Sequence, residues 1–355
     1  MAINAASTGM PGKFSSPTHK QMKGRPRKNM QTAIGVERQL PRRTTAAATY
    51  THTRGLNLLR SRNINAPLPG SGERPFGSDD LFQFETTGFM RQNQLITNVR
   101  TRFHSRVSLF SFYSLNKAKS DTDGVGSFPA NQYDLSTEYG RSALDIRHRF
   151  GMGGSITGPA GLRFSPFIIL RSGVPFNITT GGDNNADLMF TDRPALATDP
   201  NDPDAIVTRF GVFDPTPEPG TPVIARNFAE GPSYAAINFR ISRTFGFGKK
   251  ASASADASGG RRPGDGIMIG GPRHRRRGGR RGRRGSFFGG GSSEHRYSLT
   301  FSLSARNLFN TTNPAAPIGN LTSPLFGQSN ASAGFGRGSS GAGNRTIRLQ
   351  LRFSG

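Results

Sequence analysis

"RTIRLQLRF", residues Arg345–Phe353, decides how this chain is read. Ile347, Leu349, Leu351 and Phe353 fall on one face of an extended strand, while Thr346, Arg348, Gln350 and Arg352 fall on the other. Such alternation suits a soluble sandwich, whose polar face meets bulk water. It suits equally a membrane-spanning barrel, whose apolar face meets lipid.

The pattern recurs upstream. In "RYSLTFSLSARNLF", Tyr297, Leu299, Phe301 and Leu303 alternate with Ser298, Thr300, Ser302 and Ser304. In "YAAINFRISRTFGFG", Ile237, Phe239 and Ile241 alternate with Asn238, Arg240 and Ser242. "ALDIRHRFGM" sets Leu144, Ile146, Phe150 and Met152 against Asp145, Arg147 and Arg149. "NVRTRFHSRVSLFSFYSL" reads as one strand with Val99, Phe103, Val107 and Leu109 against Arg100, Arg102, His104 and Arg106. "LFQFETTGFM" adds Phe82 and Phe84 against Gln83 and Glu85, and weaker strands are expected at Gln31–Leu40, Thr44–His52 and Leu162–Ile178. The total is about nine strands.

The connectors alternate as well. Short turns are expected at Leu40–Arg43, Arg91–Gln94 and Thr157–Gly161, and long polar loops at Gly55–Asp80, Ala118–Ser142, Thr179–Ser233 and Asn310–Asn344. Short turns at one end and long loops at the other are the rhythm of an outer-membrane barrel, whereas compact soluble domains rarely keep several structureless loops beyond about 15 residues. One connector, 249–295, breaks the rhythm. Gly, Arg and Ser dominate it, and it is expected to be disordered.

Composition narrows the choice. Hydrophobic residues make up 33% of 355, and 46 Gly and 24 Pro favour long polar loops. That suits a barrel whose inner wall is wet. Lys and Arg total 47 against 22 Asp and Glu, a formal charge of +25, which calls for an anionic partner such as nucleic acid or a lipid headgroup surface. There is no Cys, so neither disulfides nor thiolate chemistry are available. The first residues contain no apolar secretory core, and no stretch approaches the roughly 18 apolar residues of a transmembrane helix.

As a set, "RQNQLITNVRTRF", "SLFSFYSLNKAKSDTDG", "DIRHRFG", "SGVPFNITTGGDNNADLMFTDRPA", "FRISRTFGFG", "SLSARNLFNTTNP" and the closing "RTIRLQLRF" resemble the C-terminal part of the β-barrel of TonB-dependent outer-membrane receptors. The resemblance is to the Oar-like branch, whose members begin with a carboxypeptidase-regulatory-like domain. It implies a barrel of roughly 22 strands closed by a plug, taking up ligands with energy passed through TonB. This chain is then expected to supply a partial transmembrane antiparallel β-barrel in the outer membrane, about nine strands of that larger barrel with long polar loops. Residues 1–30 would form an irregular N-terminal segment, and residues 31–353 the barrel portion. Without a plug or the N-terminal strands, the expectation is an incomplete transporter or surface receptor. Its expected partners are outer-membrane lipid, the barrel-assembly machinery, an unidentified ligand, and TonB only through a plug domain.

The faces predict sites. Ile347, Leu349, Leu351, Phe353, Leu299, Phe301, Leu303, Ile237, Phe239 and Ile241 are expected to face lipid. Arg348, Gln350, Arg352, Arg100, Arg102, Arg106, Arg147 and Arg149 are expected to face the lumen. Asp183, Asn185 and Asp187 in "GGDNNAD" are spaced like the start of a calcium loop, but Leu188 stands where that loop needs Gly and Pro194 where it needs Glu. A turn held by Asx hydrogen bonds is the competing reading. "GRGSSG", Gly336–Gly341, matches a dinucleotide fingerprint without the helix that would cap a phosphate. His19, His52, His104, His148, His274 and His295 have no metal-ligand spacing, and no nucleophile has an evident base, so neither an enzyme nor a cofactor is expected. The rival signal is "RHRRRGGRRGRRG", Arg273–Gly285, which allows the alternative of a soluble RGG-like nucleic-acid binder, and non-specific nucleic-acid binding in vitro in either case.

Overall fold

The computed structural model describes residues 26–104, 106–218, 220–250, 295–334 and 344–354. Nine long strands build its main sheet: β1 (Lys28–Leu40), β2 (Thr44–Asn63), β3 (Phe82–His104), β4 (Val107–Ser120), β5 (His148–Thr157), β6 (Leu162–Arg171), β7 (Tyr234–Lys250), β8 (His295–Arg306) and β9 (Thr346–Ser354). They lie side by side in chain order and every pairing is antiparallel, with the short strand Gly140–Arg141 added beside β4. The sheet is not closed: β1 and β9 are its edges. It is all-β in the manner of a partial barrel. The remaining short strands pair among the loops, Gly211–Asp214 between Ile206–Thr208 and Ala195–Leu196, and Pro175–Phe176 with Ala229–Glu230.

The connections alternate strictly from β1 to β7. Short connections at 41–43, between His104 and Val107, and at 158–161 lie between long loops at 64–81, 121–147 and 172–233. The first turn uses Arg42 and Arg43 at φ 60 and 55, and the third uses Ala160 and Gly161 at φ 54 and 72. The basic connector after Lys250 and the Gly336–Gly341 motif lie outside the described residues, as do residues 1–25. Lys28, Lys249, Lys250 and His295, placed by sequence in irregular segments, belong to strands.

The structure moves one turn. Arg91–Gln94 is not a turn but the middle of β3, a strand of 23 residues, and β3 pairs with β4 beyond it, with Arg106 in a turn just before Val107. The polar run stays in the ladder because both neighbours offer partners. Gln92 donates to Asn116 at 2.7 Å, Gln94 donates to Ser114 at 2.9 Å, and Asn93 accepts from Tyr50 at 2.8 Å. Arg106 therefore lies in a turn and does not share a strand with Arg100 and Arg102. Three boundaries also shift. β2 runs eleven residues past His52, β6 stops at Arg171 well before Ile178, and β5 begins at His148, leaving Leu144, Ile146 and Arg147 in the preceding loop.

Register sorts the side chains into two faces. Leu349, Leu303, Ile241, Phe164, Ile156 and Val107 stand in one row across six consecutive strands. One residue along, Arg348, Ser304, Arg240 and Ser165 form a row on the opposite face. The apolar face is largely exposed, with Leu349 at 78% and Ile34 at 73%. A water-soluble sheet would bury that face; an outer-membrane wall turns it to lipid.

Candidate functional site: the polar wall and its loop layer

The polar face is knitted across strands. Arg240 donates to Ser302 at 3.0 Å, Thr244 and Thr300 share a hydrogen bond of 2.9 Å, and Arg163 donates to Ser155 at 2.6 Å. Register puts Arg348, Gln350, Arg352, Arg100, Arg102 and Arg149 on this face. Arg147, outside the strand, reaches Asp145 at 3.3 Å. The face is not wholly polar. Phe110, Phe112, Phe167 and Ile169 lie on it, where Gly151 and Gly153 of β5 leave space for rings.

All ten residues expected at lipid share the other face: Ile237, Phe239, Ile241, Leu299, Phe301, Leu303, Ile347, Leu349, Leu351 and Phe353. Near the turn end, Phe247, Tyr297 and Phe353 form a cluster with ring centroids 5.9 to 6.1 Å apart, and Phe245 meets Phe301 edge-on at 5.9 Å. Toward the loop end, Tyr50 lies in the row of Ile34, Leu95 and Leu115, with Tyr113 stacked on His148 beside it. Aromatic residues thus border the apolar face at both ends.

The long loops fold on one another rather than hang free. Phe176, Ile178, Phe213, Ile224, Ala229 and Leu321 form their own buried core, with Ile178 and Phe213 wholly inaccessible. Beside it Glu138, buried on its own loop, accepts from Arg193 and from Arg226 at 2.9 Å each. Arg226 also reaches Asp123 at 3.2 Å and donates to Ser127, so two loops are tied through one carboxylate. Arg60, near the loop end of β2, pairs with Asp121 at 2.5 Å. Such buried charges are costly to leave unpaired, which makes the loop layer depend on every member. Arg193 comes from "FTDRPA", the end of the longest sequence motif, and this network accounts for its burial; its neighbour Asp192 accepts instead from Asn184 and Asn185.

In the same loop, Asp183, Asn185 and Asp187 turn inward. Asp183 accepts the backbone N–H of Asp187 at 3.0 Å and of Leu188 at 2.8 Å; Asp187 accepts those of Met189 and Gln132. Asn185 donates to Ala130 and Asp192, both at 2.7 Å. The three side chains therefore form an Asx-bonded turn. Burial pushes the carboxyls of Asp187 and Asp192 up to about 6, with their neighbouring acids adding to the rise. Among the described residues no group of three or more His, Asp or Glu is arranged to hold a metal ion. His52, His148 and His295 are scattered, bonded to Asn93, Tyr113 and Gly248 respectively.

An open antiparallel sheet with an apolar outer face, a polar inner face and long loops at one end defines a transmembrane barrel wall. The family model described as an outer membrane beta barrel domain matches residues 2–257, and the chain belongs to that family. It is an outer-membrane protein. No curated protein matches it. Solved structures similar to it include the ferric-catecholate import receptor Fiu from Escherichia coli K12, 12% identical with a TM-score of 0.41 over 97% of this chain and 30% of that one. The outer membrane transporter YddB from Escherichia coli is 11% identical with a TM-score of 0.46 over 92% and 32%. The FrpB iron transporter from Neisseria meningitidis is 10% identical with a TM-score of 0.39 over 92% and 31%. The chain thus spans about a third of the length of each of these structures. Membership of an outer-membrane barrel family sets aside the alternative of a soluble nucleic-acid binder.

Proposed function

We propose that this chain is part of the wall and external recognition layer of a TonB-dependent receptor, of the Oar-like branch, serving ligand passage or surface recognition rather than catalysis. The apolar face meets lipid through the ten residues named above, and Arg348, Gln350, Arg352, Arg100, Arg102 and Arg149 line the lumen. The motifs that carry the family resemblance support this reading, because "FTDRPA" supplies part of the buried ionic floor of the loops. A loop layer with its own core, held on a membrane wall, presents a fixed surface to the outside.

The observation that carries the proposal is the Glu138 floor: two buried guanidiniums on one buried carboxylate hold the loops in place where a floppy pore rim would need no such investment. The test is ligand-dependent protection of loop 172–233 from limited proteolysis. The purified full chain would be challenged with ferric chelates, oligosaccharides and short peptides. Protection by one class, lost in Glu138→Gln, supports recognition. A chain that none of them protects, yet that conducts ions in a planar bilayer, would be a simple pore.

A further inference from the structure

Four residues up the sheet from Tyr50, Leu95 and Leu115, the apolar face changes character. Arg54 stands directly across from Arg91, and Arg91 directly across from Lys119, so three cations lie side by side on β2, β3 and β4. Lys117, one step nearer the apolar band, stands across from Asn93. All four side chains are exposed.

Like charges placed directly opposite in a ladder repel. Among the described residues, however, none of these four forms a salt bridge. The next cation in the row, Arg141, is committed to Asp145 at 3.0 Å and Glu230 at 3.3 Å. The three in-register cations rest instead on an aromatic pair. Arg54 and Arg91 lie 5.4 and 5.3 Å from the centre of the Phe89 ring, Lys119 lies 5.9 Å from that of Tyr139, and the two rings are 6.0 Å apart. This platform positions the charges without neutralising them.

Height decides what can neutralise them. The turn end of the same face is the row Thr44, Thr101 and Leu109. From there to the cation row is roughly ten residues, which at ~3.3 Å per residue and ~40° of tilt is about 25 Å along the membrane normal. The apolar band of an outer-membrane barrel is about that tall. The row therefore stands at headgroup level on the loop side, with Leu95, Leu115 and Tyr50 directly beneath it for acyl chains.

We infer that Arg54, Arg91 and Lys119, with Lys117 below them, form a binding site for phosphorylated headgroups of outer-leaflet lipid. The site rests on the reading that the apolar face meets lipid. It takes a membrane lipid rather than a free phosphate because the cations continue the apolar band on the face turned away from the lumen.

The test uses the full chain in neutral detergent with diphosphorylated lipid A, counting bound lipid by native mass spectrometry. Neutralising two cations in Arg91→Gln with Lys119→Gln should weaken binding by roughly thirtyfold, at about 1 kcal/mol per charge near an anionic surface. Arg91→Lys with Lys119→Arg should largely restore it. Equal binding by the neutralised variant, or of lipid A stripped of its phosphates, overturns the proposal. So does binding of inorganic phosphate that displaces the lipid, since that marks a soluble-anion site. Resistance of the chain to alkaline extraction from vesicles is read in parallel. Loss of that resistance in the unmodified chain overturns the lipid-facing reading and the site together, whereas retained insertion with unchanged binding overturns the site alone.

Discussion

Phe112 of β4 stands directly across the ladder from Gly151 of β5, and its ring occupies the space that any side chain at residue 151 would need. Phe110 repeats the arrangement over Gly153, where an added Cβ would come within 2.8 Å of the ring. Glycine weakens a strand by leaving nothing to pack, and the neighbouring rings supply what is missing. We predict that Gly151→Val destabilises the sheet by about 1–3 kcal/mol through overpacking. Adding Phe112→Ala to that variant should recover part of the loss. A double-mutant cycle on unfolding midpoints in detergent checks it, and additive effects would refute the pairing.

Leu349 and Arg348 test the two faces at neighbouring positions on the edge strand β9. Leu349→Arg should cost about 2–4 kcal/mol if the position lies near the bilayer midplane, whereas Arg348→Gln should be mild. Folding yields into lipid vesicles give the comparison. Equal effects at both positions would contradict lipid on one side and lumen on the other.

Removing Glu138 should loosen the loops and spare the wall. Glu138→Ala leaves Arg193 and Arg226 buried without their shared carboxylate, a loss of about 3–5 kcal/mol for a broken buried pair. Hydrogen exchange should rise at Ala130, whose N–H bonds to Glu138, and at Ile224 in the loop core, with β7 and β8 unchanged. Uniform loosening would mean that the loops and wall unfold as one unit.

The raised carboxyls of Asp187 and Asp192 make the same loop sensitive to acid in an unusual direction. Each has a folded value of about 6 against an ordinary 3.8, so between those pH values the folded loop holds more protons than the unfolded one. Stability from these two groups therefore falls as pH rises through that window and is greatest below it. Loop proteolysis should be slower at pH 5 than at pH 7.5, and Asp187→Asn with Asp192→Asn should flatten the difference. A steeper dependence in the double variant would reverse the assignment.

The two sheet edges carry the last prediction. Among the described residues, β1 and β9 each leave a row of ladder groups without a neighbour in the sheet, and hydrocarbon penalises such groups by several kcal/mol each. Purified alone, the chain should associate through these edges. Unheated gel electrophoresis in detergent should show oligomers or aggregates, and a compact heat-modifiable monomer would refute the idea.

Alternation made much of this protein legible from its residues alone. Leu349 and Arg348, or Phe301 and Ser302, declare opposite environments because side chains on a strand change face at every step, whatever the strand pairs with. The tight turn at 158–161 was legible for a similar local reason, since Gly158, Pro159 and Gly161 are turn formers. Arg91–Gln94 misled because polar residues signal a turn only when nothing beside them accepts their hydrogen bonds. Here Ser114 and Asn116 accept from Gln94 and Gln92 while Tyr50 donates to Asn93, and these partners lie 20 to 43 residues away in sequence. The connection from His104 to Val107 offers no Gly, Pro or Asn in its sequence to announce it. Tertiary structure alone decided which charges meet: Arg54 with Arg91 and Lys119 on the outer face, and Glu138 with Arg193 and Arg226 in the loops. Each grouping joins residues from separate strands or loops, so it is set by register and long-range packing, which local periodicity does not encode.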